Sequence, residues 1–425
     1  MRAFDKIIGY DSVKNELYQV IDMFKNREMY EKIGAKLPRG VLLYGRPGLG
    51  KTMLASSLIE ECNVKSFILR KNKSDEKIIE EINKTFEEAS KLEQAIILID
   101  DIDKFSDTED DDVDAESYVT IQSCIDKCKD SNILIIATAN NKRKLPGSLL
   151  RSGRFDIKIE LKAPTDSDAE KIIEFYLKSK NVSDKLNFED VSKMFKYKSC
   201  ADLESIINLS AIYATFKRKE SIEIDDIVKA YLKSADIETD ENYKCDKNEL
   251  ELISLHEAGH AVISEAIKEG SVGFVYIPQN GRNSVGGFTN LCKEFRRRPE
   301  HVLIALGGKI AVELFYGGRC ASGCGDDLDK ATDLLTGGIT ESGTCGLGLL
   351  DVSGPNPASD NYRAGKEYAI KAELERFMFL ARDIILKNKD FLLKMTEILK
   401  EKHMLLYSDI KEIRNSVKVT PAVVQ

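Results

Sequence analysis

Val41-Leu42-Leu43-Tyr44-Gly45-Arg46-Pro47-Gly48-Leu49-Gly50-Lys51-Thr52 is a short apolar run that breaks into glycines and ends on a lysine and a hydroxyl. Residues 41–44 have the length and composition of a buried strand, and the residues after Thr52 suit a helix. The glycines therefore stand where a strand hands over to a helix, the context that a phosphate-cradling loop requires. Gly45, Pro47, Gly48 and Gly50 shape a turn whose backbone N–H groups can close around a phosphate at the helix N-terminus. The Lys51 ammonium can reach the β- and γ-phosphates, and the Thr52 hydroxyl can ligate magnesium. The stretch predicts a site for ATP with Mg2+.

Outward from this loop, residues 95–99, 133–137 and 157–161 are further β-branched runs separated by helical stretches. That alternation predicts a parallel sheet with helices on both faces, an α/β module. The run 95–99 ends in Asp100-Asp101, which places two carboxylates at the sheet edge beside the phosphate loop. Asp100 is the expected magnesium holder. Asp101 stands where ATPases of this layout usually carry Glu as the base that polarises water. It is one methylene shorter, and a displacement of about 1 Å can cost on the order of a hundredfold in rate. Asn140, just past the strand 133–137, is placed to orient that water. The acidic run 107–114 reads as a solvated loop.

Residues 167–235 carry apolar side chains at three- and four-residue spacing and read as a small helical lid. Residues 236–248 are polar and suit a linker, and 250–416 read as mostly helical apart from a Gly-rich, β-like segment around 272–291. The expected organisation is an ATPase subdomain over 1–165, a lid over 166–238, a linker over 239–249, a second catalytic domain over 250–416 and a tail over 417–425. Composition fits a soluble globular chain, with 42% apolar and 32% charged residues. A net charge of -8 gives no basic footprint for nucleic acid, which is not an expected partner. Nine cysteines without paired spacing point to a reducing, cytoplasmic setting. No run of about 18 or more apolar residues and no signal-peptide layout is visible, so membrane contact is not evident.

His256-Glu257-Ala258-Gly259-His260 lies in a helical context. Histidines four apart share one helix face and can both bind Zn2+, while Glu257 can take a proton from water activated there. Catalytic zinc needs a third protein ligand. No His follows at the spacing of the longer three-His motif, and His301 and His403 stay in reserve.

The segment Leu149-Leu150-Arg151-Ser152-Gly153-Arg154-Phe155-Asp156 makes the first half of the chain resemble the AAA+ ATPases. By that resemblance Arg151 and Arg154 are candidate arginine fingers for a neighbouring subunit, and a ring, typically a hexamer, is implied. An AAA+ module followed by HEAGH resembles the FtsH family of AAA+ zinc proteases. The family's third ligand is an Asp in a segment that reads here Ser322-Gly323-Cys324-Gly325-Asp326-Asp327-Leu328-Asp329-Lys330-Ala331-Thr332, and its register puts the ligand at Asp327, with Asp326 an adjacent rival and Cys320 and Cys324 possible sulfur donors. Residues 4–9, Ser199-Cys200-Ala201-Asp202-Leu203, Leu306-Gly307-Gly308 and Tyr316-Gly317 extend the likeness over nearly the whole chain.

The resemblance implies an ATP-dependent zinc metalloendopeptidase that draws unfolded or tagged polypeptides through a homo-hexameric ring to a zinc chamber. Three features depart from the family pattern. Its members carry N-terminal transmembrane segments, whereas this sequence starts at the ATPase module, which reads as a soluble form or a shortened chain. Asp101 replaces Glu. The basic stretch Leu69-Arg70-Lys71-Asn72-Lys73-Ser74-Asp75-Glu76 stands where the family has a longer segment with an aromatic pore loop, and reads as a shortened solvated turn. These departures motivate an alternative, a nucleotide-gated ring that admits polypeptides without pulling them. A second alternative is a non-proteolytic AAA+ chaperone or scaffold, against which the intact Glu257 argues.

Overall fold

The computed structural model describes residues 3–71, 75–105, 116–129, 131–235, 237, 247–278, 286–316, 324–339 and 360–424. The expected acidic loop at 107–114, Asn72 to Ser74, most of the linker, Gly317, Cys320, Ser322 and Gly323 lie outside these residues. The chain divides into two compact units, Met1–Lys180 with Tyr197–Asn208, and Asn181–Lys196 with Leu209–Gln425.

In the first unit, strands β3 (Ala95–Asp100) and β4 (Ile133–Ala139) are buried along their whole length, which is why their sequences read as unbroken apolar runs. They sit inside a five-stranded parallel sheet with β1 (Gly40–Tyr44), β2 (Lys65–Arg70) and β5 (Phe155–Glu160), in the order β2-β3-β4-β1-β5. Period-two alternation divides the core. Val41, Leu43, Ile96, Leu98, Leu134 and Ile136 join one apolar cluster with helices α1 (Asp11–Lys25) and α3 (Lys51–Cys62). Leu42, Ile97, Ile99, Ile135 and Ala137 join another with α4 (Asp75–Ser90) and α5 (Glu116–Lys127). A short helix α2 (Arg27–Lys32) precedes β1, and α6 (Asp166–Lys178) follows β5 behind a Thr165 N-cap.

Two details correct the sequence reading. Leu69 and Arg70 are not in a turn: they close β2, a fifth strand that the apolar-run criterion passed over. The last strand runs Phe155–Glu160, starting two residues before the expected 157.

Helices α7 (Phe188–Met194), α8 (Cys200–Phe216) and α9 (Ile224–Ser234) follow; α7 and α9 lie in the second unit, and α8 begins among the residues of the first. The second unit is then built on α10 (Lys247–Ile267) and α11 (Arg298–Tyr316). α10 starts inside the stretch read as linker. Residues Gly259 and Gly307 meet where these two helices cross: a Cβ on Gly307 would stand 2.7 Å from the Gly259 carbonyl oxygen. Only glycine at both positions lets the backbones approach this closely.

A three-stranded antiparallel sheet, β7-β6-β8, packs on α10; it comprises β6 (Val272–Tyr276), β7 (Phe288–Leu291) and β8 (Met404–Leu406). Helices α12 (Gly325–Gly337), α13 (Asp360–Lys387), α14 (Lys389–Lys402) and α15 (Tyr407–Ser416) complete the unit. In the stretch read as a tail, Val417, Val419 and Ala422 pack on the core and the Ala422 N–H donates to the Ala266 carbonyl at 2.8 Å. No helix among the described residues is long and apolar enough to cross a membrane.

Candidate active sites

At the carboxyl edge of the parallel sheet, β1 ends and the chain turns through Gly45, Gly48 and Gly50, all at positive φ, into the N-terminus of α3. Lys51 is buried, with 6% of its surface exposed, and its Nζ donates to the carbonyls of Gly45 (2.8 Å) and Arg46 (2.9 Å) and to Asn140 Oδ1 (2.7 Å). Burial pulls the ammonium below the ordinary lysine value, against the opposing pull of Asp101, Asp103 and Asp100. Pro47 lies exposed on the outside of the loop. A ring of backbone amides at a helix N-terminus, with a lysine folded back under it, fits a polyphosphate.

Asp100 Oδ1 accepts from Thr52 Oγ1 (2.9 Å) and Thr138 Oγ1 (2.7 Å), so the two expected magnesium-binding side chains already touch. An acidic oxygen beside a hydroxyl at a phosphate loop fits magnesium. Asp101 has left-handed backbone (φ 54°), and its N–H donates to Thr138 Oγ1 at 2.8 Å. Its carboxylate takes Lys104 Nζ at 2.6 Å and Asn140 Nδ2 at 3.3 Å. Asp103 fixes the Asn140 end, accepting from the N–H groups of Asn140 (3.0 Å) and Asn141 (2.9 Å).

The two arginines of 149–156 differ. Arg154 is tied within its own chain to Asp126 Oδ2 (2.9 Å), Gln122 Oε1 (2.8 Å) and the Ser148 carbonyl (2.6 Å), whereas Arg151 is exposed.

In the second unit, α10 projects His256 and His260 from one face, and α12 brings Asp327 to them. His256 Nε2, His260 Nε2 and Asp327 Oδ2 form a nearly equilateral triangle, with separations of 3.0 Å between the histidines and 3.1 Å from each to the carboxylate. Tetrahedral donors about 2.0–2.1 Å from one zinc ion stand about 3.3 Å apart, so the triangle fits that ion. Burial works to raise the Asp327 pKa, but hydrogen bonds and charge from His256 and His260 hold its carboxyl well below the usual carboxylate range. Burial likewise opposes a proton on His260, and Asp327 and Glu257 outweigh it, raising that histidine.

His260 Nδ1 lies 2.6 Å from the Ile304 carbonyl, which assigns the proton to Nδ1 and leaves the Nε2 lone pair facing the triangle. Gly308 of α11 makes room for both rings: a Cβ there would stand 2.5 Å from His256 Nδ1 and His260 Nε2. Glu257 is buried, and Thr289 Oγ1 on β7 lies 2.9 Å from its Oε2 and 3.1 Å from its carbonyl oxygen.

Among the described residues, the rival ligands lie elsewhere or contribute less. Asp326 is exposed, His301 Nε2 lies 2.9 Å from the Phe295 carbonyl, and His403 caps α14. Cys324 is buried with its sulfur 3.8 Å from His256 Nδ1, on the ring edge away from the triangle. Sequence reasoning missed Thr138, Asp103, Thr289 and the Ile304 carbonyl. Only Gly308 carried a signal, as the second of two adjacent glycines inside a helical pattern.

An α/β phosphate-loop unit followed by a helical unit with a His-His-Asp triangle defines an AAA-type module joined to a metallopeptidase module. Residues 41–163 match the model of the ATPase family associated with various cellular activities (AAA), and residues 243–413 match that of peptidase family M41. The relatives named ATP-dependent zinc metalloprotease FtsH from Ureaplasma parvum, Mycoplasma mobile and Mycoplasma pneumoniae are 27%, 28% and 28% identical to this chain. These alignments cover 99%, 98% and 99% of it, and 62%, 63% and 63% of the relatives. The chain thus spans about three fifths of their length and is similar to them over nearly all of its own.

Proposed function

We propose that this chain is an ATP-dependent zinc metalloendopeptidase acting on unfolded or tagged polypeptides within an oligomeric ring, typically a homo-hexamer. The observation that carries the reading is the convergence of His256, His260 and Asp327 on one point, with the buried Glu257 between the two histidines on the same helix. These three residues would hold zinc, which when bound would supply Lewis acidity toward a water and a peptide carbonyl. Glu257 takes the proton of that water at its carboxylate and passes it to the departing amine nitrogen. Thr289 holds the carboxylate in place during the transfer.

In the other unit, the amides of 45–51 and Lys51 hold the phosphates of ATP, and Thr52 and Asp100 hold magnesium. Asp101 and Asn140 orient the attacking water, and Arg151, being exposed, is the better placed finger for a neighbouring subunit; Arg154 serves to brace its segment.

Glu257→Gln tests the assignment. The expected outcome is loss of cleavage of an unfolded fluorescent protein, with zinc content and ATP hydrolysis retained. Wild-type digestion by the variant, or chelator-insensitive digestion by the wild type, would overturn it.

A second reading, a nucleotide-gated ring that does not pull, draws support from the sequence between β2 and α4, Lys71-Asn72-Lys73-Ser74, which carries no aromatic residue. Degradation of a folded substrate with ATP but not with a non-hydrolysable analogue rejects it.

A further inference from the structure

Neither the phosphate-loop pattern nor the role given to Asp100 accounts for Arg70. It is the last residue of β2 and lies in direct register with Asp100 on β3, so neighbouring strands present the two side chains at the same sheet edge. Arg70 Nε donates to Asp100 Oδ2 at 3.0 Å and its second guanidinium nitrogen approaches the same oxygen at 2.9 Å. The other oxygen, Oδ1, is shared by Thr52 and Thr138. Both oxygens of the carboxylate expected to face magnesium are therefore engaged, one of them by a permanent positive charge.

The pairing is asymmetric: the Asp100 side chain is 9% exposed and that of Arg70 is 58% exposed. An ion pair between two solvated side chains contributes little, but here one partner is held in place by two hydroxyls in a desolvated corner. A guanidinium cannot lose its proton at physiological pH and offers several planar donors that suit phosphate oxygens as well as carboxylates.

Resting on the reading of 45–52 as a nucleotide site, we propose that Arg70 is the resident counter-cation of that site. It neutralises Asp100 in competition with magnesium and offers charge to the nucleotide phosphates, so that nucleotide binding depends less on magnesium than the rest of the site dictates. Two effects act in the same direction. Without magnesium, Arg70 offsets the repulsion between Asp100 and the phosphates; with magnesium, it contests the Asp100 oxygen.

The test is equilibrium binding of a fluorescent non-hydrolysable ATP analogue to the full chain, in excess magnesium and in EDTA, for wild type, Arg70→Ser and Arg70→Lys. The readout is the ratio of Kd in EDTA to Kd in magnesium. Arg70→Ser is expected to raise this ratio about fivefold or more, the scale of one partly exposed charge pair, and Arg70→Lys, which keeps the charge, is expected to stay nearer the wild type. Arg70 ends an edge strand, and far-UV circular dichroism checks that each variant is folded. An unchanged ratio in Arg70→Ser, with tight binding throughout, overturns the role of Arg70 and leaves the nucleotide site standing. Failure of all three proteins to bind the analogue in either condition overturns the nucleotide site and this proposal together.

Discussion

Gly308→Ala is a one-carbon change whose consequence can be worked from the geometry. The new Cβ would stand 2.5 Å from His256 Cε1, His256 Nδ1 and His260 Nε2, against an ordinary contact of about 3.5 Å, so the rings must recede by about 1 Å. His260 cannot do so without giving up its 2.6 Å contact with the Ile304 carbonyl, and the Nδ1 edge of His256 that the new carbon would crowd already has Cys324 Sγ 3.8 Å away. Metal–ligand distances tolerate only about 0.2 Å. Loss of a single supporting contact to a ligand typically costs ten- to hundredfold in metal affinity, and here both imidazoles are displaced. The expected effect is about a hundredfold weaker zinc binding, or about 2.7 kcal/mol.

Helix propensity works in the other direction, since alanine in a helix interior is favoured over glycine by about 1 kcal/mol. The metal-free variant should therefore keep its helical content and melt close to the wild type, separating a metal-site lesion from a folding lesion. Competition against a chromophoric zinc chelator reads the first quantity and thermal unfolding in EDTA the second. Wild-type zinc affinity in Gly308→Ala would refute the argument that this glycine is kept for the two rings.

Two further perturbations test individual assignments. Asp327→Asn should lower zinc affinity and peptidase rate by at least about tenfold, while Asp326→Asn, on the exposed neighbouring carboxylate, should leave both unchanged; a stronger effect from Asp326 would move the third ligand. Asp101→Glu restores the missing methylene, and phosphate release should rise by about tenfold or more if carboxylate reach limits hydrolysis, whereas equal or slower turnover would show that the side chain is already in position.

Much of the architecture was legible because its signals are local. β3 and β4 announce themselves since both faces are buried, and the histidines at 256 and 260 fall on one helix face by the 3.6-residue period alone. β2 escaped notice for the converse reason: it is an edge strand in which only Leu69 is buried, and its apolar run is just Phe67-Ile68-Leu69 between polar residues. Choosing Asp327 over Asp326 needed the family segment, because a step of one residue turns a helix position by about 100° and sequence alone does not say which side faces the histidines. Thr289 could not be found at all, as it lies 32 residues from Glu257 and meets it only through the packing of β7 on α10. The difference between Arg151 and Arg154 was equally hidden, since it depends on Asp126 and Gln122 arriving from another helix.

Zinc in the proposed His256–His260–Asp327 triangle would also act mechanically. His260 and Asp327 are 67 residues apart in sequence, so an ion bound between them acts as a cross-link that closes a long loop. By the same chain-entropy reasoning that applies to a disulfide, such a closure disfavours the unfolded chain by about 4 kcal/mol. The Gly259–Gly307 crossing sits one residue from His260, so the tie is anchored at the point where two helix backbones already touch. On that proposal, a molecule that lost its metal would lose its chemistry and one of its fastenings in the same event, and would become easier to unfold than its loaded neighbours.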